Sequence, residues 1–374
     1  MNAAASPAGE VPGGAVLVIG TGLIGASIGL ALAAQGREVW LEDSDSSAVA
    51  VAVERGAGEP WVQRLRDDPE RAPAVVFVCV PPTSAAPVIA DSLRRYLKAI
   101  VSDVTSTKTR LQGEIEALGL SVPEMARFVP GHPLAGREVS GPAAARADLF
   151  ADRVWALTPT AVTDPALTHE VVTLVESLGA VTVVTSPEEH DRAVALTSHT
   201  PQVVASMVAA GLLDLGETSV RLSGQGLRDV TRLAASDPGL WSEILASNAD
   251  LVADSLDALI TRLGAVRDGL REGSPGAEQV RRSLEDGVAG HRRVPGKHGA
   301  AAVPWAVVAV SVQDRPGELG RLFADAGSTG VNLEDVRIEH AQGRPTGLVE
   351  LEVAPDSAAG LADGLRHAGW NVRD

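Results

Sequence analysis

Hydrophobic residues in the first half of the chain occur in short, almost continuous runs. Six of them, AVLVIG, REVWLED, AVVFVCVP, AIVSDV, RVWALT and AVTVVTS, alternate with helical stretches between residues 16 and 186. Strands that are apolar on both faces and separated by helices are typical of a parallel sheet covered on each side. The pattern therefore predicts an α/β domain over residues 14–186, preceded by a tail that lacks the apolar core of a signal peptide.

The pattern changes twice after residue 186. From 187 to 285 the apolar residues follow a helical spacing without strand signals, which predicts an all-helical domain. Residues 272–303 mix charged residues with Gly and Pro, so we expect a short helix followed by a linker at 286–303. From 304 to 374 the order is β-α-β-β-α, with WNVR as a candidate fourth strand. This order predicts a small ferredoxin-like module.

Composition and charge exclude several classes of function. The formal net charge of −16 argues against a nucleic-acid or anionic-membrane binder, because both need a positive surface. The single cysteine, Cys79, lies in an apolar run and is read as a buried hydrophobic residue, so a reducing cytoplasm fits. Residues 15–34 are nearly long enough to span a membrane, but glycines divide them and basic flanking residues are missing.

A glycine-rich turn follows the first strand. In Gly20-Thr21-Gly22-Leu23-Ile24-Gly25 the glycines fall between a strand and a helix, where they permit close approach of a pyrophosphate. Asp43 ends the next strand, 18 residues after Gly25, where a carboxylate accepts hydrogen bonds from ribose hydroxyls. The acidic neighbours of Asp43 favour NAD over NADP, although a solvated turn aspartate stays an alternative. A Rossmann-type domain is predicted to contact the cofactor through Gly20, Gly22, Leu23, Ile24, Gly25, Asp43, Val80, Pro81 and Thr105.

Three other stretches carry polar groups that hydrophobic periodicity does not explain. In SDVTSTK, Ser106 follows a strand at the carboxyl edge of the sheet, where ligands of open α/β sheets bind. In PGHPLAGREVSG, His132 stands between glycine and prolines, outside any amphipathic stripe. In GLRDVTRLAASDPGLW, Arg228 and Arg232 lie one helical turn apart and present two cations that suit a dicarboxylate.

These stretches, together with HDRAVALTSHTP and the glycine turn, resemble the prephenate and arogenate dehydrogenase family over about residues 15–270. The resemblance implies NAD-dependent oxidation of a ring carbinol carbon with loss of carbon dioxide and formation of an aromatic ring. Prephenate would give 4-hydroxyphenylpyruvate, and arogenate would give tyrosine. The C-terminal VSVQDRPGELGRLF and GVNLEDV resemble an ACT domain, which implies feedback control.

The resemblance also implies roles for individual residues. His132 matches the base for the ring hydroxyl, Ser106 the hydroxyl that orients it, and Arg232 the arginine that binds a carboxylate. Further substrate contacts are expected at Arg228, Ser198, His199, Gln202, Trp241 and Glu138. An aromatic amino acid, with tyrosine as the leading candidate, is expected at Asp314, Pro316, Gly317 and Asn332. A cytoplasmic homodimer is expected as well.

Several alternatives remain open at this stage. Ser106 and Thr105 are also placed to cap the following helix, and Arg232 to pair with Asp229 or Asp237. Gln202 stands where many family members carry histidine, which leaves the choice between prephenate and arogenate open. A β-hydroxyacid dehydrogenase with Lys108 as its catalytic lysine, and a non-enzymatic sensor of NAD and amino acids, are the competing functions.

No metal site is predicted. His190 and His199 are nine residues apart, which places them half a turn out of phase on a straight helix.

Overall fold

The structure of the protein is a computed structural model that describes residues 13–61, 71–136, 139–294, 305–340 and 345–373. It divides into two compact units between Leu263 and Gly264. The predicted N-terminal tail and part of the predicted linker lie outside the described residues. The domain boundaries predicted at residues 186, 285 and 303 stay predictions.

Six parallel strands form the sheet next to the glycine turn: β1 Val16–Ile19, β2 Val39–Glu42, β3 Glu59–Pro60, β4 Val75–Val78, β5 Ile100–Asp103 and β6 Phe128–Val129. Their order across the sheet is β3-β2-β1-β4-β5-β6, with every neighbouring pair parallel. This is the strand order of a Rossmann fold, which places a binding crevice at the carboxyl ends of β1 and β4. The predicted Rossmann-type α/β fold is confirmed.

Helices cover both faces of this sheet. They are α1 Leu23–Ala34, α2 Ser46–Glu54, α3 Pro82–Arg95, α4 Thr109–Ala117, α5 Val122–Met125 and α6 Pro165–Ser177. Val16 and Val18 pack with Ile28 of α1 in one buried cluster, while Leu17 packs with Ile89 of α3 in another. Since successive residues of a strand point to opposite faces, burial on both sides explains why the strands are continuously apolar.

Three more strands form a separate sheet: β7 Gly131–Pro133, β8 Val154–Leu157 and β9 Val181–Val184, in the order β7-β8-β9. β7 and β8 are antiparallel, with His132 opposite Ala156, and β8 and β9 are parallel. The prediction that RVWALT and AVTVVTS continue the main sheet is therefore wrong. An apolar run specifies a strand but not its partner, and here β8 pairs with the short strand that carries His132.

Residues 187–272 are helical, as predicted. The helices are α7 Pro187–Val194, α8 Thr200–Ala210, α9 Glu217–Val220, α10 Gln225–Thr231, α11 Pro238–Ser247 and α12 Ala249–Glu272. A π-helical segment, Ala195–His199, joins α7 to α8, and a 3-10 segment, Arg232–Ala235, follows α10. A wide helical turn thus lies directly before Pro201, which has no backbone N–H to donate within a helix. No helix in the described part of the chain is long and apolar enough to cross a membrane.

The C-terminal region contains α13 Ala277–His291, longer than the short helix expected there, and then β10 Ala306–Gln313, α14 Glu318–Ser328, β11 Asp335–His340, β12 Thr346–Val353, α15 Ala358–His367 and β13 Asn371–Arg373. The four strands are antiparallel in the order β11-β12-β10-β13. Val310, Leu322 and Leu351 belong to a separate buried core. The β-α-β-β-α order and the fourth strand agree with the prediction.

Candidate active site

The glycine turn joins β1 to α1 beside the end of β4. Gly20 has φ +97°, a left-handed conformation that glycine adopts without strain, and a Cβ on it would overlap the carbonyl oxygen of Cys79. A Cβ on Gly25 would overlap the carbonyl oxygen of Gly20. Around Gly22, apart from its chain neighbours, no described atom lies within 4 Å of a Cβ position. Packing therefore requires two of the glycines, while the third leaves its backbone open to an anion.

The N-terminus of α1 and the end of β2 flank this open space. The N-cap residue of α1 is Gly22, which has no side chain to cap the helix, and the first N–H groups of α1 have no partner within the helix. Asp43 follows β2, and its Oδ2 accepts hydrogen bonds from Thr21 N at 2.6 Å and Thr21 Oγ1 at 3.1 Å. Its Oδ1 accepts one from Asp45 N at 2.9 Å. The carboxylate is thus oriented by the turn itself, which a simple solvated aspartate would not be.

A cavity of about 310 Å³ lies between the carboxyl ends of β1 and β2 and helix α3. Its lining includes Ile19, Glu42, Pro87, Val88, Asp91 and Arg95. The predicted residues Val80 and Pro81 follow β4, with Pro81 as the residue before α3. The structure therefore brings the predicted cofactor residues from three strand ends to one edge of the sheet.

Lys108 is fully buried directly before α4. Its Nζ donates to Asp103 Oδ2 at 2.6 Å, to Thr105 Oγ1 at 3.0 Å and to the carbonyl oxygen of Gly131. All three ammonium protons are engaged, so Lys108 lacks the free amine that a catalytic lysine needs. Burial lowers the pKa of Lys108, against the opposing attraction of Asp103. The network ties β5 to β7 and fixes the backbone beside His132.

Helix α4 is capped at its N-terminus by a side chain from α7. α4 begins at Thr109, and its N-cap residue is Lys108 rather than the predicted Ser106 or Thr105. Instead Asp191 of α7 accepts the N–H groups of Lys108 at 2.9 Å and Thr109 at 2.8 Å. Ser106 is half-buried. The Thr105 hydroxyl donates to Asp103 at 2.5 Å, and its predicted cofactor contact stays a prediction.

A chain of hydrogen bonds runs from Asp191 to His132. Asp191 Oδ1 lies 2.8 Å from His190 Nδ1, and His190 Nε2 lies 2.9 Å from His132 Nδ1. The two imidazoles meet edge to face, with ring centroids 5.1 Å apart. His190 and Asp191 are buried, while His132 keeps part of its surface exposed. The side chain of His190 on α7 therefore holds the imidazole of His132 on β7 in place.

The electrostatic surroundings keep His132 neutral. Desolvation of its ring lowers the pKa of His132 well below 6.5, and the positive charge of Lys108 acts in the same direction. Burial also lowers the pKa of His199. The carboxyl group of Asp191, by contrast, stays ionised. In Asp191 the hydrogen bonds from His190, Thr109 and Lys108 outweigh burial and lower the carboxyl pKa. A neutral imidazole is able to accept a proton at neutral pH.

The π-helical segment places His199 next to this chain. His199 is buried, and its Nδ1 lies 3.3 Å from Asn248 Nδ2, which donates to the backbone oxygen of Asp191 at 2.9 Å. Trp241 meets His199 edge to face at 6.2 Å between ring centroids. Ser198 is half-buried in the same segment. His199 is thus linked to the backbone of Asp191 through Asn248, and Trp241 packs against the His199 ring.

Gln202 connects this region to the segment with the predicted arginines. Its Nε2 donates to the backbone oxygen of Leu233 at 2.9 Å, next to Arg232. Arg228 and Arg232 are both exposed. Asp229 accepts a hydrogen bond from Gln225, and Asp237 accepts one from Leu240 N.

The sequence analysis did not select His190, Asp191 or Asn248 as site residues. The assumption of a straight helix between His190 and His199 is wrong, because the π-helical segment lies between them. The available signal was the position of His190 and Asp191 in HDRAVALTSHTP, a stretch that resembles the family. Within the described residues, no group of three or more His, Cys, Asp or Glu side chains is arranged to hold a metal ion. The predicted contact Glu138 lies outside the described residues.

Comparisons with known proteins agree with this geometry. Residues 28–184 match the prephenate dehydrogenase nucleotide-binding domain, and residues 186–285 match the prephenate dehydrogenase dimerization domain. The chain is 38% identical over 363 residues to a probable prephenate dehydrogenase, NovF, of Streptomyces niveus, covering 95% of this chain and 98% of the relative.

Two solved structures are similar along most of their length. The prephenate dehydrogenase of A. aeolicus, in complex with hydroxyphenyl propionate and NAD+, has a TM-score of 0.66 and 25% identity, covering 76% of this chain and 99% of that one. The arogenate dehydrogenase of Synechocystis has a TM-score of 0.62 and 26% identity, covering 74% of this chain and 98% of that one. From the two domain matches and these relatives, the chain belongs to the prephenate dehydrogenase family of NAD-dependent oxidoreductases.

Proposed function

We propose that the protein oxidises prephenate to 4-hydroxyphenylpyruvate with NAD, releasing carbon dioxide, and that His132 is the base. The single observation that carries the proposal is the buried chain Asp191–His190–His132 at the carboxyl edge of the sheet. Formation of an aromatic ring supplies the driving force of such a reaction. The protein must add a proton acceptor, a cation for the carboxylates and alignment of the reacting carbon.

The edge of the sheet fits NAD. The open backbone at Gly22 and the uncapped N-terminus of α1 suit the pyrophosphate, and Asp43 suits the ribose hydroxyls. The cavity against α3 has the apolar and polar lining that an adenine base needs. Glu42 in its lining and the nearby Asp43 disfavour the additional phosphate of NADP. Bound there, NAD supplies the hydride acceptor.

His132 suits the role of base because its pKa is lowered and its position is fixed. The neutral imidazole accepts the proton of the substrate's ring hydroxyl while the hydride leaves the carbon that bears this hydroxyl. Ser106, half-buried beyond the end of β5, is proposed to orient that hydroxyl. The engagement of Lys108 in three hydrogen bonds speaks against the competing β-hydroxyacid dehydrogenase reading.

The carboxylates of the substrate are assigned to Arg232, with Arg228 as a second cation. A guanidinium binds a carboxylate through two parallel hydrogen bonds, which fixes orientation as well as adding affinity. Ser198, His199 and Trp241 complete the proposed cleft on the side of the π-helical segment.

Arogenate is a second candidate substrate, and Gln202 is the observation that favours it. Its Oε1 is buried and has no hydrogen-bond partner among the described residues. A neutral amide oxygen accepts a hydrogen bond from an ammonium, the group by which arogenate differs from prephenate. The similarity to the Synechocystis arogenate dehydrogenase points the same way.

The C-terminal sheet is proposed to be a regulatory ACT domain. Gly317 has φ +90° in the turn after β10, beside the exposed residues Asp314 and Pro316. Asn332 is exposed before β11, with its amide donating to Glu334 at 2.6 Å. We propose that an aromatic amino acid, tyrosine first, binds at these residues. The match of residues 186–285 to a dimerization domain supports a homodimer, which we propose to act in the cytoplasm.

The direct test is a steady-state assay of the purified chain with prephenate, arogenate and NAD. The proposal expects NADH and carbon dioxide in equal amounts from prephenate. A higher kcat/KM with arogenate would transfer the assignment to that substrate. Failure of both substrates to reduce NAD, despite tight NAD binding, would favour the sensor reading and end the proposal. Added tyrosine should lower the rate if the C-terminal sheet is regulatory.

A further inference from the structure

We propose that His190 and Asp191 are positioning residues that hold His132 in one tautomer, with its proton on Nδ1 and its lone pair on Nε2. The proposal rests on the function above, in which His132 is the base. It assigns a task to two side chains that lie 58 residues or more from His132 along the sequence.

The argument begins at Asp191. Its Oδ1 accepts a hydrogen bond from Lys108 N, and its Oδ2 accepts one from Thr109 N. Backbone N–H groups only donate, so both oxygens of Asp191 are fixed as acceptors. These N–H groups open α4, whose positive end stabilises the carboxylate charge without a second buried cation.

The next step is His190. Because Asp191 Oδ1 acts as an acceptor at 2.8 Å, His190 Nδ1 must carry a proton. The ring is buried, and burial disfavours the charged form of an imidazole. A neutral ring with its proton on Nδ1 has a lone pair on Nε2. His190 therefore faces His132 as a hydrogen-bond acceptor.

The last step fixes His132. The 2.9 Å contact between His190 Nε2 and His132 Nδ1 requires a proton between them, and only His132 is left to supply it. Its Nε2 then carries the lone pair. When the substrate proton is added at Nε2, the imidazolium still donates through Nδ1 to His190. The chain Asp191–His190–His132 therefore stabilises the transition state more than the bound substrate, because the charge on His132 exists only after proton transfer.

Substitutions of His190 distinguish this positioning role from a merely structural one. In the full-length enzyme, His190→Leu removes the acceptor, while His190→Gln places an amide oxygen within reach of His132. We expect His190→Leu to lower kcat by about 10- to 100-fold, as for other groups that orient a functional histidine. The KM for prephenate should stay within about twofold, since the substrate groups are untouched. His190→Gln should restore most of the loss, and His169→Leu, at an exposed histidine of α6, should change nothing.

Nitrogen-15 NMR of the imidazoles reads the tautomer without turnover. The signals of His132 are assigned by their loss in His132→Asn. In the wild type at neutral pH we expect a protonated Nδ1 and an unprotonated Nε2, and we expect His190→Leu to abolish this preference. A protonated Nε2 in the wild type, or full kcat in His190→Leu, would overturn the proposal. Neither result would touch the proposed reaction, which fails only if the wild type does not oxidise prephenate or arogenate.

Discussion

The proposed base and the proposed carboxylate-binding arginines lie in opposite kinds of surroundings. His132 is held by the buried side chains of His190 and Asp191 from α7, whereas Arg228 and Arg232 lie on an exposed helical segment. Proton transfer needs a fixed geometry within hydrogen-bond reach, while the attraction of a cation for a carboxylate decays slowly with distance. The fold therefore fixes the side chain proposed for proton transfer before the substrate binds. It leaves the side chains proposed to bind the substrate carboxylates at the surface.

The largest expected effect follows from replacing the base. His132→Asn keeps a side chain of similar polarity but removes the proton acceptor at the Nε2 position. We expect kcat to fall by about 10²- to 10⁴-fold, with KM values nearly unchanged. Steady-state kinetics measure the split. An unchanged kcat would show that His132 is not the base.

The next effect is on stability. Lys108→Met leaves the buried Asp103 carboxylate without its cation, and breaking a buried pair costs about 3–5 kcal/mol. Lys98→Met, at an exposed lysine, is the matched control and should be nearly neutral. Urea unfolding measures both changes. Equal stability of the two variants would show that the network does not brace β7.

Loss of the exposed cation should act on binding. Arg232→Ala is expected to raise the KM for prephenate by about 10- to 100-fold, the value of one or two hydrogen bonds to a charged group. The effect on kcat should be smaller. Arg221→Ala, at another exposed arginine of the same helical region, serves as the control. A fall in kcat without a change in KM would contradict the division between capture and chemistry.

The glycine turn repeats the contrast between enclosed and open positions. Gly25→Ala places a methyl group against the carbonyl oxygen of Gly20, and overpacking of this kind costs about 1–3 kcal/mol. Gly22→Ala meets open space, so the fold should survive while the KM for NAD rises. Thermal unfolding and NAD titration distinguish the two variants. Weaker stability in Gly22→Ala than in Gly25→Ala would reverse this assignment.

The smallest effect is on pH dependence. Burial lowers the folded-state pKa of His132 well below 6.5, so the ring stays neutral as the pH falls toward that value. The acid limb of kcat/KM should therefore lie below pH about 6.5. Unfolding frees the ring to bind a proton near its ordinary pKa. Stability should then decrease as the pH drops below about 6.5, because the unfolded state binds more protons. An acid limb above pH 7 would contradict a depressed pKa.

The same contrast explains what could be predicted from the sequence. The glycine turn and Asp43 were found because their spacing is local, and His132 stood out because no amphipathic pattern includes it. The pairing of β8 with β7 was missed, since strand propensity does not specify a partner. His190 and Asp191 were missed because their contacts join distant segments, and because a π-helical segment changes the phase between His190 and His199.

The most direct test of the account is a crystal structure of the protein with NAD and hydroxyphenyl propionate. The account predicts that His132 Nε2 lies within hydrogen-bond distance of the ligand hydroxyl, next to the nicotinamide ring, and that the Arg232 guanidinium binds the ligand carboxylate. A ligand bound with its hydroxyl away from His132, or with Arg232 on a different side of the molecule, would contradict it.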